Sequence, residues 1–105
     1  MDHVLMKVYG SISPATEEML QAALAVTDAQ HVELEGDMLL ISFEGIWFPV
    51  DDLIDALKPL LTEKSEGRID HIDVEGWRLY RHFVCGKAIT MRSNDLNSVL
   101  ERSGH

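Results

Sequence analysis

Apolar and polar residues recur along this chain at periods that can be assigned to elements, and the densest apolar window, Met38 to Phe48, reads as the organising one. Its run of Met-Leu-Leu-Ile-Ser-Phe-Glu-Gly-Ile-Trp-Phe puts apolar side chains at both parities, which predicts a central strand covered on both faces. Upstream, Val4 to Tyr9 alternates as a first strand that Gly10 ends. Ser13-Pro14 reads as a helix start, with Ser as cap and Pro at the first helical position, where its missing N–H costs nothing. The helix that follows runs to about Thr27 and gathers Met19, Leu20, Ala23 and Leu24 on one stripe.

Turn residues then set registers. With Gly36-Asp37 as a two-residue turn, Leu34 faces Leu39 and Val32 faces Ile41 on a core side, while Glu33 faces Leu40 and His31 faces Ser42 on the other. Met38 and Leu40 are apolar on that second side, so another element or a second copy of the chain must cover them. Asp51 is the expected cap of a second helix whose stripe is Leu53, Ile54, Leu57, Leu60 and Leu61, with a break before Leu60 imposed by Pro59. Glu75-Gly76 as a turn pairs Val74 with Trp77 and Ile72 with Leu79 on an expected core face. It pairs Asp73 with Arg78 and His71 with Tyr80 on a polar face, and sets Asp70 opposite Arg81. A three-residue loop at Cys85-Gly86-Lys87 would set Phe83 opposite Ile89, His82 opposite Thr90 and Tyr80 opposite Arg92. Ser93 or Asn94 caps a last helix through Arg102, packed by Leu96, Val99 and Leu100.

The predicted order is β-α-β-β-α-β-β-β-α, an α+β chain with an antiparallel sheet and helices, forming one domain over residues 1–105. In order, its first six elements resemble a ferredoxin-like split βαβ unit. That resemblance implies two helices on one face of the sheet, here with a ββα extension. Parsed without the first strand, the order is similar to roadblock or profilin-like domains, a resemblance that implies a dimeric scaffold.

Charge changes the picture more than composition does. An apolar fraction of 46% with 26% charged residues is that of a globular protein, which sets aside disordered and fibrous classes. Residues 1–57, however, hold 11 Asp and Glu against one Lys, whereas residues 58–105 hold 7 against 8 Lys and Arg. An anionic field of that kind repels nucleic acid and anionic lipid and attracts a basic protein. The expectation is therefore a basic protein partner, no direct nucleic acid and no membrane. Apolar runs such as Met38 to Ile41 are far too short to span a bilayer. The N-terminus lacks the pattern of a signal peptide and Cys85 is alone, so the chain reads as cytoplasmic.

Motifs for phosphate loops, HExxH metal sites and paired zinc cysteines are absent from the sequence, and no cofactor is expected. His82 and Cys85 would point to opposite faces of a strand, a poor start for a metal site. One candidate ligand site remains, the polar face of the final meander: His71, Arg78, Tyr80, His82 and Arg92. There two imidazoles, a phenol and two guanidinium groups could hold an anion and move protons near neutral pH. A candidate partner surface draws on the acidic half: Glu33, Glu35, Asp37, Asp51, Asp52 and Asp55. Trp47 and Phe48 join it if they are exposed aromatic anchors, although their closeness to Pro49 favours both as plugs of the core where strand gives way to helix. The sequence favours the second reading. It describes a small, non-enzymatic, homodimeric binding module of the inhibitor, immunity-protein or adaptor type, over a small-molecule binder or cofactor-free enzyme.

Overall fold

The computed structural model describes residues 4–96. Strand β1 covers Met6–Ser13, helix α1 Glu17–Leu24, β2 Val32–Glu35 and β3 Met38–Gly45. Helix α2 covers Val50–Leu57 and a 3-10 turn Lys58–Leu60, followed by β4 Glu66–Asp73, β5 Arg78–Cys85 and β6 Ala88–Asp95. The six strands form one antiparallel sheet in the order β2-β3-β1-β4-β5-β6. The fold class is thus α+β, with two α-helices against that sheet among the described residues. Ser93 and Asn94, the expected caps of a last helix, belong instead to the β6 ladder, and the rest of that expected helix, to Arg102, lies outside the described residues.

Strand β1, rather than β3, is the central one, with β3 on one side and β4 on the other. It runs through Gly10 to Ser13 because that glycine is needed where it stands. A Cβ on Gly10 would lie 2.5 Å from the carbonyl oxygen of Arg68 and 2.8 Å from the Cα of Ile69 on the neighbouring strand. The alternative parse that omits a first strand therefore does not describe this chain. Helix α1 starts later than Ser13, capped by Thr16, whose Oγ1 accepts from the Met19 N–H at 3.2 Å. Asp51 is not the cap of α2. Pro49 precedes the helix without a side-chain bond, and Asp51 and Asp52 fill its first turn, where negative charge suits the dipole. At the other end Pro59 stops the α-helix at Leu57, as its missing donor requires.

The core lies on one face of the sheet. Val8, Ile12, Leu39, Ile41 and Ile69 project from β1, β3 and β4 against Met19 and Ala23 of α1 and Leu53, Ile54 and Leu57 of α2, all of them buried. Each of these Val, Ile, Leu and Met side chains contributes about 1.5–3 kcal/mol by leaving water, and Ala23 less. Parity then assigns every strand residue to the helix side or the open side. Among the described residues, strand β3 is covered on one face only: Leu39 is wholly buried, while Met38 is 40% exposed.

The first two hairpin registers follow their turns. Val32 pairs with Ile41 and Leu34 with Leu39; Asp70 pairs with Arg81, His71 with Tyr80 and Ile72 with Leu79. Val74 and Trp77 do not continue that second ladder, because the turn takes both of them and Trp77 adopts a left-handed φ of 55°. The third register is one residue from expectation. Gly86, at φ 62°, and Lys87 form a two-residue turn, so Cys85 pairs with Ala88, Phe83 with Thr90, His82 with Met91 and Tyr80 with Ser93. Arg92 stands opposite Arg81 instead of Tyr80.

Substituting Gly10 by Ala should lower the unfolding free energy by about 1–3 kcal/mol, since the added methyl can be relieved only by parting two central strands. Urea unfolding followed by circular dichroism measures this, and a variant as stable as the parent would contradict the close approach.

Candidate functional site: a cleft at the start of the second helix

Strand β3 ends beside Met6, and β4 ends on the other side of Met6, so the chain leaving β3 begins α2 above the end of β4. Ile46–Pro49 is the connection. In it neighbouring side chains take opposite directions: Phe48 is 3% exposed and packs on Phe43 with ring centroids 4.9 Å apart, while Trp47 is 66% exposed. His31 closes the same aromatic cluster edge-on, 5.0 Å from Phe43 and 6.2 Å from Phe48. Phe48 is therefore the core residue that its place beside Pro49 favours, whereas Trp47 is not and remains at the surface as a candidate anchor.

Beneath this connection lies a cleft of about 250 Å³, walled by Trp47, Pro49, Asp51, Asp52, Met6 and His71. The sequence reading puts Trp47, Asp51 and Asp52 on a partner surface and His71 in a separate ligand site. The fold joins them. The signal that could have done so is the βαβ crossover itself, because a helix leaving β3 for β4 must start over the row that holds Met6 and its ladder neighbours.

The meander set is divided. His71, Tyr80, His82 and Arg78 occupy the helix side of β4 and β5, since their ladder partners align with Val8 and Ile69 of the core. This inverts the expected faces: Ile72 and Leu79 lie on the open side, with Leu79 buried outside the main core cluster. Arg92, by its register with Arg81, also lies on the open side, separated from the imidazoles by the sheet. The set expected to hold an anion therefore does not converge.

The imidazoles themselves are close to α2. His71 lies on Tyr80 with centroids 5.2 Å apart and rings tilted by 32°. Burial pushes the His71 imidazole below its ordinary pKa of 6.5, against the pull of Asp73 and Asp51. Burial does the same to His82, which is 9% exposed, helped by His71 and opposed by Asp51 and Asp70. Both rings are thus held neutral at pH 7, and Asp51 acts on each. Among the described residues no three His, Cys, Asp or Glu side chains gather to hold a metal ion.

The acidic partner set is divided as well. Glu33 and Glu35 lie exposed on the open side of the edge strand β2, and Asp37 lies in the turn, where its carbonyl accepts from the Ala15 N–H at 2.6 Å. Asp51, Asp52 and Asp55 sit exposed on α2 in the helix layer. Cys85 is exposed at the end of β5. No helix among the described residues is long and apolar enough to cross a membrane.

The chain matches no protein-family model, no curated protein and no solved structure. Its chemistry has to be read from the cleft and the two sheet faces.

The histidines make stability depend on pH in a defined direction. In the unfolded chain they titrate near 6.5, and in the fold they titrate lower, so unfolding takes up protons as the pH falls below 6.5. Their contribution is complete above that value and is lost progressively toward the lower folded pKa. Melting temperatures should therefore fall between about pH 7.5 and about pH 5.5. His82→Gln should flatten the profile over that interval, and a profile already flat in the parent would refute the assignment.

Proposed function

We propose that the protein is a non-enzymatic binding module whose cleft at the start of α2 receives a basic side chain from a protein partner. The observation that carries this reading is Trp47, two-thirds exposed on the wall of a cleft that also presents Asp51 and Asp52. An indole face next to carboxylates suits a Lys or Arg head group, which gains cation–π and Coulomb attraction together. Size points the same way. The cleft's roughly 250 Å³ is below the range of about 300–1,000 Å³ found for small-molecule sites, and it matches recognition of a side chain better than of a free metabolite. The acidic surplus of the first half of the chain adds long-range attraction for the same class of partner. A cytoplasmic inhibitor, immunity protein or adaptor fits these features.

For the fold we infer the finer class as well: β1 to β4 with α1 and α2 form a ferredoxin-like unit, and β5 and β6 extend it. Support comes from β1 lying between β3 and β4, with β2 outside β3 and both neighbours of β1 antiparallel to it. The reading of the meander as a ligand or catalytic site has less behind it. The cleft wall includes His71, but Arg92 is on the other face of the sheet and His82 is nearly buried.

The test uses Trp47 as its own reporter, in a Trp77→Phe background that leaves one indole. Titrating a Lys- and Arg-rich peptide should shift Trp47 fluorescence, and the effect should weaken with salt over about 50 to 500 mM. Asp51→Asn with Asp52→Asn should reduce affinity about tenfold or more, while losing no more than the roughly 1–2 kcal/mol that two charges at the α2 N-terminus contribute, so that the variant stays folded. An acidic peptide giving the same shift, or full affinity in the double variant, would defeat the proposal.

A further inference from the structure

The open side of the sheet carries a lateral charge pattern that the sequence encodes as its two unlike halves. Strands β2, β3 and β1, all drawn from the first 45 residues, form one side of the sheet, and β4, β5 and β6 form the other. On the open face the first side presents Glu33, Glu35 and Glu44 with a single cation, Lys7, which pairs with Glu44 at 3.4 Å. Glu44 also accepts from the Tyr9 hydroxyl, a bond that together with Lys7 holds its carboxyl below the usual range; burial, and after it this bond, raises the phenol. The second side presents Arg68, Arg81 and Arg92 with Glu66 and Asp70. Arg81 grips Asp70 with two bonds of 2.8 and 3.1 Å, and Arg68 approaches the same carboxylate at 3.5 Å. Glu33 and Glu35 at one edge and Arg92 at the other have no ion-pair partner among the described residues.

Apolar groups on this face are arranged with the same symmetry. Met38 and Leu40 lie on β3, one strand in from the acidic edge, and Phe83 lies on β5, one strand in from the basic edge. Tyr9, Met38 and Phe83 are 38%, 40% and 36% exposed, so this face offers apolar surface on three of its strands.

We propose that this face binds a second copy of the chain, sheet against sheet, about a two-fold axis lying between the sheets and parallel to the strands. That axis, unlike one across the strands, sets the β2 edge of each copy over the β6 edge of the other. The acidic edge, Glu33 nearest, then comes within reach of Arg92, Phe83 meets Met38 and Leu40, and each contact occurs twice. Six strands spaced about 4.8 Å apart and up to eight residues long at about 3.3 Å per residue offer at most about 700 Å² per copy, less around Leu79, which is already buried within the chain. A stable interface of standard size uses about 800 Å² per partner, so the face is close to the area a dimer needs. The inference does not rest on the cleft, which lies on the opposite side of the sheet.

The symmetry gives a decisive experiment. Light scattering and sedimentation should show a dimer of the parent protein that weakens as salt is raised from about 50 to about 500 mM. Arg92→Glu and Glu33→Lys should each weaken self-association about tenfold or more, because each creates two like-charge contacts. Mixed together, the two variants should form a heterodimer. The lysine introduced at position 33 of one copy would then face the glutamate introduced at position 92 of the other, and the native pair would be kept at the second contact. Both positions are at exposed edges, and matching melting temperatures would show that the variants are folded. A strictly monomeric parent at high concentration, a dimer indifferent to both variants, or a mixture that stays monomeric would each overturn the proposal.

Discussion

The structure depends on β1 being held on both sides by strands distant in sequence. Met6 to Ile12 pairs with Gly45 to Leu39 on one side, and Met6 to Ser13 pairs with Asp73 to Glu66 on the other. Each ladder closes a long loop, and the helices are what fill those loops: α1 lies between β1 and β2, and α2 between β3 and β4. Closing loops of that size costs only a slowly growing entropy, which the burial of Val8 and Ile12 in one core with residues of both helices offsets. Gly10 lets the two central strands approach, and no larger residue fits beside Arg68 and Ile69. Once β1 is fixed, the start of α2 is fixed over the Met6 end of the sheet. The cleft is thus a consequence of topology, not of any local motif.

How much of this the sequence disclosed depends on how many independent signals agreed at each place. The first hairpin was legible because Gly36 supplies the positive φ that a two-residue turn needs and the alternation on both sides agrees. The second was legible from its charges, Asp70 with Arg81 and Asp73 with Arg78. Gly86-Lys87 has the same order as Gly36-Asp37, a glycine first, and reading it by that rule gives the observed register. Counting Cys85 into the loop instead moves every residue of β6 by one position, which in a sheet exchanges the faces and brings Arg92 to the wrong side.

The inverted faces of β4 and β5 have a different cause. Ile69 and Ile72 differ in parity, as do Leu79 and Val84, so hydrophobicity alone does not say which set faces the helices. Treating His71, Tyr80 and His82 as a polar face tips the balance the wrong way. These are amphipathic side chains, with ring carbons that pack beneath a helix and a polar atom left to reach its edge. Burial then keeps both imidazoles uncharged, which is the form that such a position tolerates. Trp47 and Phe48 show the same limit. Two adjacent aromatic residues in an extended connection must point apart, and only the contacts with Phe43 and His31 settle which one turns inward.

The two faces of the sheet do separate work under the readings proposed above, and their geometry makes those readings compatible. Helices cover one side, with the Trp47 corner at the start of α2; the other side carries the Glu33-to-Arg92 polarity. A dimer closed through the open side has layers in the order helices, sheet, sheet, helices, so that neither copy covers the other's cleft. Both clefts then stay accessible on opposite outer surfaces of one particle. A partner presenting two basic side chains far enough apart would meet the second site at a raised effective concentration, and modest affinity at each cleft would yield tight binding overall. A partner with one such side chain would gain nothing from the pairing. The charge asymmetry between the two halves of the chain can in this way serve two contacts at once: acidic α2 toward the partner, and acidic β2 toward the basic β6 of a sister copy.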